Sequence, residues 1–307
     1  MDHPTIQAAD HAARHWRFAG AFRPGSDVHR VAFCRMLLET FNPYKPAVIE
    51  WPKLDEPALQ RLTSLPIWDI AVQTEGRARL RILSYAHAVT DPLLRQALEH
   101  MAFEEGRHKE VLSHLVLAYG IQLEPEPLYR QPRDPEWGFL VTGYSECIDS
   151  FFAFGLFELA RRSGYFPPEL VETFEPVIQE EGRHILFFAN WVYWYRRTMP
   201  LWRRPWFFLK TLGVWGFLIW ERIGLARTVS GGPKQDANFT VSGAGSVGAE
   251  VDTAELMEIC LAENARRMTG YDPRLKQPRT VPLLVGFACR LMRRKVRADQ
   301  PSPVGQG

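Results

Sequence analysis

The sequence predicts an all-α protein built around a four-helix bundle, with additional helices at its N- and C-terminal ends. Between residues 67 and 198, apolar side chains recur at alternating steps of three and four residues through four long segments. This spacing places them on one face of a helix and is typical of a bundle seam. Residues typical of helix ends support these predicted helices, because Asp91 and Pro92 can begin one segment and Gly120 can end it.

The bundle is predicted to span residues 57–200, between an N-terminal extension of 1–56 and a C-terminal extension of 201–307. Its helices are expected at 67–89, 92–119, 136–162 and 168–198. The second and third helices are joined by a connection that contains four prolines. An extended proline-rich segment covers about 3.1 Å per residue, so this connection is long enough to run back along the bundle. The two helix pairs are therefore predicted to form an internal repeat.

Both extensions are predicted to contain further helices. In the N-terminal extension we expect short helices near 5–18 and 27–40, followed by a stretch that prolines interrupt. The C-terminal extension combines an aromatic helix at 201–222, a Gly/Ser-rich surface loop at 230–252, a helix at 253–269 and a basic, solvated tail.

A five-residue motif, Glu-Glu-Gly-Arg-His, occurs twice, at 104–108 and 180–184, within the second and fourth predicted helices. Residues three positions apart lie on the same face of a helix. Each copy therefore presents the carboxylate of its second glutamate beside the imidazole of its histidine. Carboxylate and imidazole ligands suit iron or manganese.

Each of the other two predicted helices carries one glutamate, Glu75 or Glu146, in the middle of its apolar face. A buried carboxylate is costly unless it is paired or bound to a metal. At about 1.5 Å per residue, Glu75 and Glu105 lie at nearly equal distances from the turn between their helices. Four seams that are interrupted at the same level predict a shared metal site.

With its acidic and histidine residues in this order, the segment 67–198 resembles the soluble di-iron carboxylate proteins of the ferritin-like superfamily. In that pattern the first and third helices each provide one glutamate, and the second and fourth each provide a Glu-x-x-His pair. The motif is similar to that of acyl-carrier-protein desaturases and bacterial multicomponent monooxygenases. The resemblance implies a ferritin-like bundle that holds two iron ions, or one manganese and one iron. The implied ligands are Glu75, Glu105, His108, Glu146, Glu181 and His184.

The resemblance also implies roles for residues beside these ligands. Glu104 and Glu180 precede the ligand glutamates, where many such proteins carry an acid that orients a ligand histidine. Asp149 lies three residues after Glu146, so it could support the ligands in the same way or act as a seventh ligand. Ser150 occupies a position where related monooxygenases often carry threonine, from which a hydroxyl could bond to oxygen at the metals.

We expect an O₂-activating di-iron oxidoreductase, a hydroxylase, N-oxygenase or desaturase that acts on an apolar or mid-sized organic substrate. The first alternative is a ferroxidase-like or non-catalytic metal-handling protein, and the second is a helical scaffold that has kept the motifs. Leu112 lies where the radical-type ribonucleotide reductase subunit carries its tyrosine, so that activity is not expected. The sequence shows no flavin, nicotinamide or rubredoxin-like site, so an external electron donor is expected. The phenylalanines at 151–157 would line an apolar channel or pack in the core.

Composition restricts the partners and the cellular compartment that we expect for this chain. The 307-residue chain has a formal net charge of +2 and four scattered cysteines. The near balance of charge gives no general attraction to nucleic acid. The cysteine pattern suits a reducing compartment, and residues 1–20 lack the apolar core of a secretory signal. We therefore expect a cytoplasmic protein, with a homodimer as one form of assembly.

Residues 201–222 are rich in aromatic side chains. From Pro205 to Trp220 the segment is apolar except for Lys210 and Thr211, but it is shorter than the roughly 20 residues of a bilayer span. Its tryptophans and flanking arginines are typical of a helix at a membrane interface. We favour packing against the bundle or another subunit, and keep peripheral membrane contact as the alternative.

Overall fold

The computed structural model describes residues 3–65, 67–229 and 253–299. Over these ranges the chain is helical and contains no β-strand, which confirms the predicted all-α class. The predicted Gly/Ser-rich loop at 230–252 and the last residues of the predicted basic tail lie outside the described residues.

Eleven α-helices follow one another in the described ranges. They are α1 His3–His15, α2 Asp27–Glu39, α3 Glu56–Thr63, α4 Trp68–Ala88, α5 Pro92–Ala118, α6 Pro135–Ser163, α7 Pro168–Thr173, α8 Glu175–Thr198, α9 Arg203–Val229, α10 Thr253–Met268 and α11 Thr280–Asp299. A short 3₁₀ turn, Pro46–Val48, lies between α2 and α3.

Two of the long helices, α5 and α6, begin at capping residues that the sequence contains. The Asp91 carboxylate accepts a hydrogen bond from the Leu94 amide at 2.8 Å, and the Asp134 carboxylate accepts one from the Trp137 amide at 3.1 Å. These bonds satisfy amides that have no partner within the first helical turn. Gly164, with φ of 63°, ends α6 in the left-handed conformation that glycine adopts without strain.

Helices α4, α5, α6 and α8 pack around the main hydrophobic core, and α2, α9 and α10 contribute side chains to it. At one point of this core, the Phe139 ring stacks on Tyr85 at 4.8 Å and meets Trp191 edge-on at 4.8 Å. A smaller cluster joins α6 to α10 and α11, with Phe151 and Cys260 fully buried in it. Residues from both extensions are thus packed against the four long helices.

The fourth predicted bundle helix is divided into two, α7 and α8, at Phe174. Pro176 in the first turn of α8 accounts for the break. Proline has no amide to donate to the carbonyl four residues earlier, and its ring collides with that carbonyl. A continuous helix over 168–198 was therefore the wrong prediction, although the residues of the motif remain on one helix.

Prolines are compatible with the start of a helix at α3 and α11, two helices that were not predicted. Pro57 and Pro282 lie in the first turns of these helices, where a missing amide costs little. The tail that was predicted to be solvated is therefore helical up to Asp299. Its residues Val281 and Cys289 are buried against the rest of the protein.

One face of α9 packs into the main core through Phe207, Val214 and Leu218, as favoured from the sequence. The opposite face leaves large apolar side chains exposed, among them Trp206 and Trp220. No helix in the described ranges is long and apolar enough to cross a membrane.

Gly155 should be essential to the contact between α6 and α10. A Cβ at Gly155 would lie 2.3 Å from Cys260 Sγ and 2.9 Å from Cys260 Cα. Gly155→Ala should therefore destabilise the protein by about 1–3 kcal/mol, because main-chain atoms of α10 would have to move. The matched control is Gly216→Ala on α9, whose Cβ would have no neighbour within 4 Å and should stabilise the helix by up to about 1 kcal/mol. Thermal unfolding followed by circular dichroism compares them, and equal melting temperatures would contradict this packing.

Candidate metal centre

The six predicted ligands come together between α4, α5, α6 and α8, and they form two overlapping groups. Within each group the ligand atoms lie within 4.8 Å of one another; Glu75, Glu105, His108 and Glu181 form the first group, and Glu105, Glu146 and His184 form the second. This spread suits one ion per group, because nitrogen and oxygen ligands lie about 2.0–2.2 Å from a zinc-sized divalent ion. Glu105 belongs to both groups and is therefore placed to bridge two ions.

Most of these ligand atoms are withdrawn from water. Glu105 is 1% exposed, and His108 and His184 are 0% exposed. Among the described residues, nothing forms a hydrogen bond with either carboxylate oxygen of Glu146. Nδ1 of His184 lies 2.8 Å from Glu105 Oε1, and Nδ1 of His108 lies 3.2 Å from Glu181 Oε1, so these atoms face other ligand atoms. Unpartnered buried polar atoms cost free energy. Two divalent cations would satisfy all of them, so the residues present fit a di-metal centre.

Each ligand histidine is held by the first glutamate of the other motif copy. His108 Nε2 donates to Glu180 Oε2 at 2.9 Å, and His184 Nε2 donates to Glu104 Oε2 at 2.7 Å. A proton on Nε2 leaves the Nδ1 lone pair free. Nδ1 is also the atom that faces the other ligands, since His184 Nδ1 lies 2.8 Å from Glu105 Oε1. These contacts agree with the predicted role of Glu104 and Glu180, and each of them crosses between α5 and α8.

Two buried arginines complete this support, and sequence reasoning missed them. Arg107 Nη2 donates to Glu180, and Arg183 Nη2 donates to Glu104 Oε1 at 2.5 Å. Each arginine is the fourth residue of its motif copy. The repetition of arginine in both copies was the signal that could have identified this pair.

The same arginines attach the N-terminal extension to the centre. Arg107 Nη1 donates to the Tyr44 carbonyl at 3.1 Å, and Arg183 Nη1 donates to the Leu37 carbonyl at 3.1 Å. Tyr44 Oη donates to Glu180 Oε2 at 3.2 Å, and its ring lies 3.9 Å from the Arg107 guanidinium. Burial and the negative charge of Glu180 raise the pKa of Tyr44, so its hydroxyl remains a donor. Tyr44 lies in an irregular segment, where periodicity offers no signal.

Ser150 and Asp149 are neighbours in sequence but face different parts of the molecule. Ser150 Oγ donates to Glu181 Oε2 at 3.0 Å, so it holds a ligand carboxylate. Asp149 instead accepts a hydrogen bond from Arg222 Nη2 of α9 at 2.8 Å, and its side chain is 44% exposed. Three residues leave the two side chains about 60° apart around the helix axis, and Asp149 lies on the side of α6 that faces α9. This placement argues against the predicted role of Asp149 as a ligand or as a support for the ligands.

Charge repulsion is concentrated among the ligands. Burial, followed by the charges of Glu181 and Glu75, raises the pKa of Glu105 well above its usual range. Burial, followed by Glu105 and Glu181, has the same effect on the pKa of Glu146. Burial alone would also raise the pKa of Glu104, but Arg183 and the nearby histidines hold it well below its usual range. Burial and neighbouring carboxylates thus disfavour the charged forms of Glu105 and Glu146, whereas the pKa of Glu181 is lowered because His108 and His184 outweigh its burial.

Comparison with known proteins does not assign the chain to a family. No protein-family model matches the chain, and no curated protein or solved structure matches it either. The function proposed below therefore rests on the residues of the centre and on their contacts.

The supporting glutamates should control metal affinity. Glu180→Gln should weaken metal binding by about 10–100-fold, because the glutamine amide would face Arg107 and would no longer fix His108. Glu104→Gln should have a similar effect through Arg183 and His184.

Glu110→Gln provides the control, since Glu110 is an exposed residue of the same helix as Glu104. Titration with Mn²⁺, followed by the loss of its free-ion signal in electron paramagnetic resonance, measures the affinity. Circular dichroism establishes that each variant is folded. Unchanged affinity in both supporting variants would show that these contacts do not orient metal ligands.

Proposed function

We propose that this chain is an O₂-activating di-iron oxidoreductase of the ferritin-like type. The observation that carries the proposal is the pair of ligand groups with Glu105 in common. Carboxylate and imidazole donors suit iron and manganese, so a mixed manganese–iron centre belongs to the same proposal. The four ligand carboxylates offset the charge of two divalent ions.

Ferrous ions bound at this centre would supply the electrons that reduce O₂ and so generate an oxidant for an organic substrate. The chain's own residues prepare the site for this chemistry. Glu104 and Glu180 accept the Nε2 protons of the two histidines, which leaves the Nδ1 lone pairs available. Ser150 limits rotation of the Glu181 carboxylate by donating to Oε2. Arg107 contributes as well, because it holds the N-terminal extension over the centre and excludes water.

The residues around the centre restrict the side from which a substrate can approach it. Phe151 and Phe154 are fully buried in hydrophobic clusters, which favours core packing over the predicted apolar channel at 151–157. The substrate is then expected to approach from another side. An external electron donor supplies the reducing equivalents in this proposal.

Metal stoichiometry in three variants tests the proposed centre. Protein from iron-supplemented cells should hold two iron ions per chain. Glu105→Ala should lose both, because Glu105 belongs to both ligand groups. Glu75→Ala and His184→Ala should each lose mainly one ion, since each removed ligand belongs to a single group. Elemental analysis of folded protein measures the content, and a Glu105→Ala variant that still binds two ions would overturn the assignment.

Oxygen consumption separates the proposal from its ferroxidase alternative. An oxidoreductase should show O₂ uptake that increases when substrate and reductant are present. A ferroxidase-like protein should oxidise added Fe²⁺ without any substrate-dependent uptake. A helical scaffold that has kept the motifs should hold no iron after purification from iron-supplemented cells.

We also propose that α9 contacts an anionic membrane surface. Trp202 and Trp206, which precede and begin this helix, are 71% and 69% exposed, and Trp220 near its other end is 69% exposed. Exposed positions recur every three or four residues from 202 to 220, so they share one face. Arg203, three residues before Trp206, is also exposed, and such a mixture of tryptophan and arginine suits a lipid interface with negative headgroups.

The double variant Trp206→Gln/Trp220→Gln should lower binding to vesicles that contain phosphatidylserine by about tenfold, because each tryptophan removes apolar area from water. Leu128→Gln is the control, since Leu128 is 97% exposed elsewhere in the molecule. Vesicle cosedimentation measures the binding. A chain that stays in the supernatant and forms a dimer that the double variant disrupts would replace the membrane contact by a subunit contact.

A further inference from the structure

A cleft of about 480 Å³ opens between α6, α8, α9 and the segment that joins α10 to α11. Its volume lies in the range of sites for small organic ligands. Cys147 and Phe188 contribute to its lining. Cys147 follows the ligand Glu146, and Phe188 lies one helical turn after the ligand His184. The inner wall of the cleft is therefore adjacent to the proposed metal centre.

The contact between α6 and α8 explains how the cleft approaches the centre so closely. A Cβ at Gly143 would lie 2.2 Å from the Phe188 ring, so the ring packs directly on the main chain of α6. Gly143 precedes Glu146 by one helical turn. Phe188 thus fills the space between α6 and α8, one helical turn from the proposed ligand His184 and packed one helical turn before Glu146.

The charged side chains that line the cleft are all cationic. Its lining includes five cationic side chains and, among the described residues, no acidic one; the cations are Arg196, Arg197, Arg204, Lys276 and Arg279. Two of the cations lie over the Tyr193 ring, and a third donates to a main-chain carbonyl at 3.1 Å. These neutral partners leave the positive charges uncompensated. Like charges gathered around one concave surface create a potential that attracts anions.

Apolar groups form the deeper part of the same cleft. Phe188 is only 1% exposed, whereas the four arginines of the lining are exposed at its mouth. Tyr144 and Trp215 stand 5.2 Å apart, centroid to centroid, and both contribute to the lining. A ligand that matches this arrangement has an anionic head that meets the arginines and an apolar body that reaches the aromatic rings.

We infer that this cleft is the substrate site, and that the substrate is a small organic anion with an apolar body. The inference rests on the proposed function, because it names the substrate class of that same centre. Arginine binds carboxylate and phosphate groups through charge-assisted hydrogen bonds. A head held at the mouth orients the apolar end of the molecule toward Phe188, which is the end nearest the metal ligands.

Calorimetric titration of the full chain with four probes that share a phenyl ring and a four-carbon chain tests the charge requirement. Phenylbutanoate and phenylbutyl phosphate carry anionic heads, phenylbutanamide is neutral and phenylbutylamine is cationic. Both anions should bind at least about tenfold more tightly than the amide, since each charged hydrogen bond is worth at least that factor. The amine should bind weakest. Preference between the two anions identifies organic acids or phosphate esters as the source of the head group.

Two charge-matched double variants locate the site. Arg196→Gln/Arg279→Gln should weaken binding of the anions about tenfold or more and leave the amide unaffected. Arg130→Gln/Arg133→Gln removes the same charge from exposed positions in the α5–α6 connection and should change nothing. Trp215→Ala should weaken the anions and the amide alike. Equal binding of anion, amide and amine, or equal losses in the two double variants, would overturn the inference.

The same titration before and after iron loading separates this inference from the proposed function. Anion binding by a chain that takes up no iron would overturn the proposed function and retain the cleft as an anion site. Iron uptake by a chain that binds neither anion would retain the metal centre and overturn the cleft assignment.

Discussion

The hydrogen bonds and ion pairs that cross between α5 and α8 hold the centre together. Each copy of the motif gives its first glutamate to the histidine and the arginine of the other helix. These contacts hold the pKa of Glu104 below its usual range and fix both imidazole rings. Removing one partner of a buried ion pair typically costs about 3–5 kcal/mol. The mutual dependence explains why all of Glu-Glu-x-Arg-His recurs, where metal ligands alone would need only Glu-x-x-His.

The two extensions enclose this centre in different ways. On the N-terminal side, Tyr44 and the end of α2 accept hydrogen bonds from the buried arginines and close the bundle. On the C-terminal side, α9 and the α10–α11 segment leave a cleft whose lining includes Cys147, the neighbour of the proposed ligand Glu146. One extension thus excludes water, and the other shapes an approach from the surface. This division allows a polar, buried centre and an accessible site to coexist in one bundle.

Helical spacing was sufficient to predict what lies on the regular faces of the long helices. It predicted that the six proposed ligands would lie together, because residues three and four apart keep their relation in any straight helix, and the structure brings them together. The resemblance supplied the supporting role of Glu104 and Glu180. It did not predict the contact between Asp149 and Arg222 of α9, which depends on tertiary packing. The effect of a proline on helix boundaries could not be predicted from spacing, since Pro176 interrupts one helix and Pro57 lies in the first turn of another.

Features that depend on distant segments left no trace in local sequence pattern. Tyr44 reaches Glu180 from an irregular stretch, and the cleft brings Arg196 close to Arg279 across the fold. Neither could be predicted without the tertiary packing. The repeated arginine of the motif is the exception, since both copies displayed it and only its partners were hidden.

Metal content and optical spectrum of the full chain, before and after reduction and exposure to O₂, test the proposed di-iron centre most directly. A di-iron centre should give two iron ions per chain and a near-ultraviolet absorption of coupled ferric ions that bleaches on reduction and returns with O₂. Protein from iron-supplemented cells that holds no metal, or one tightly bound zinc ion and no iron, would rule out the di-iron centre. The helical bundle would then need another explanation for its buried carboxylates.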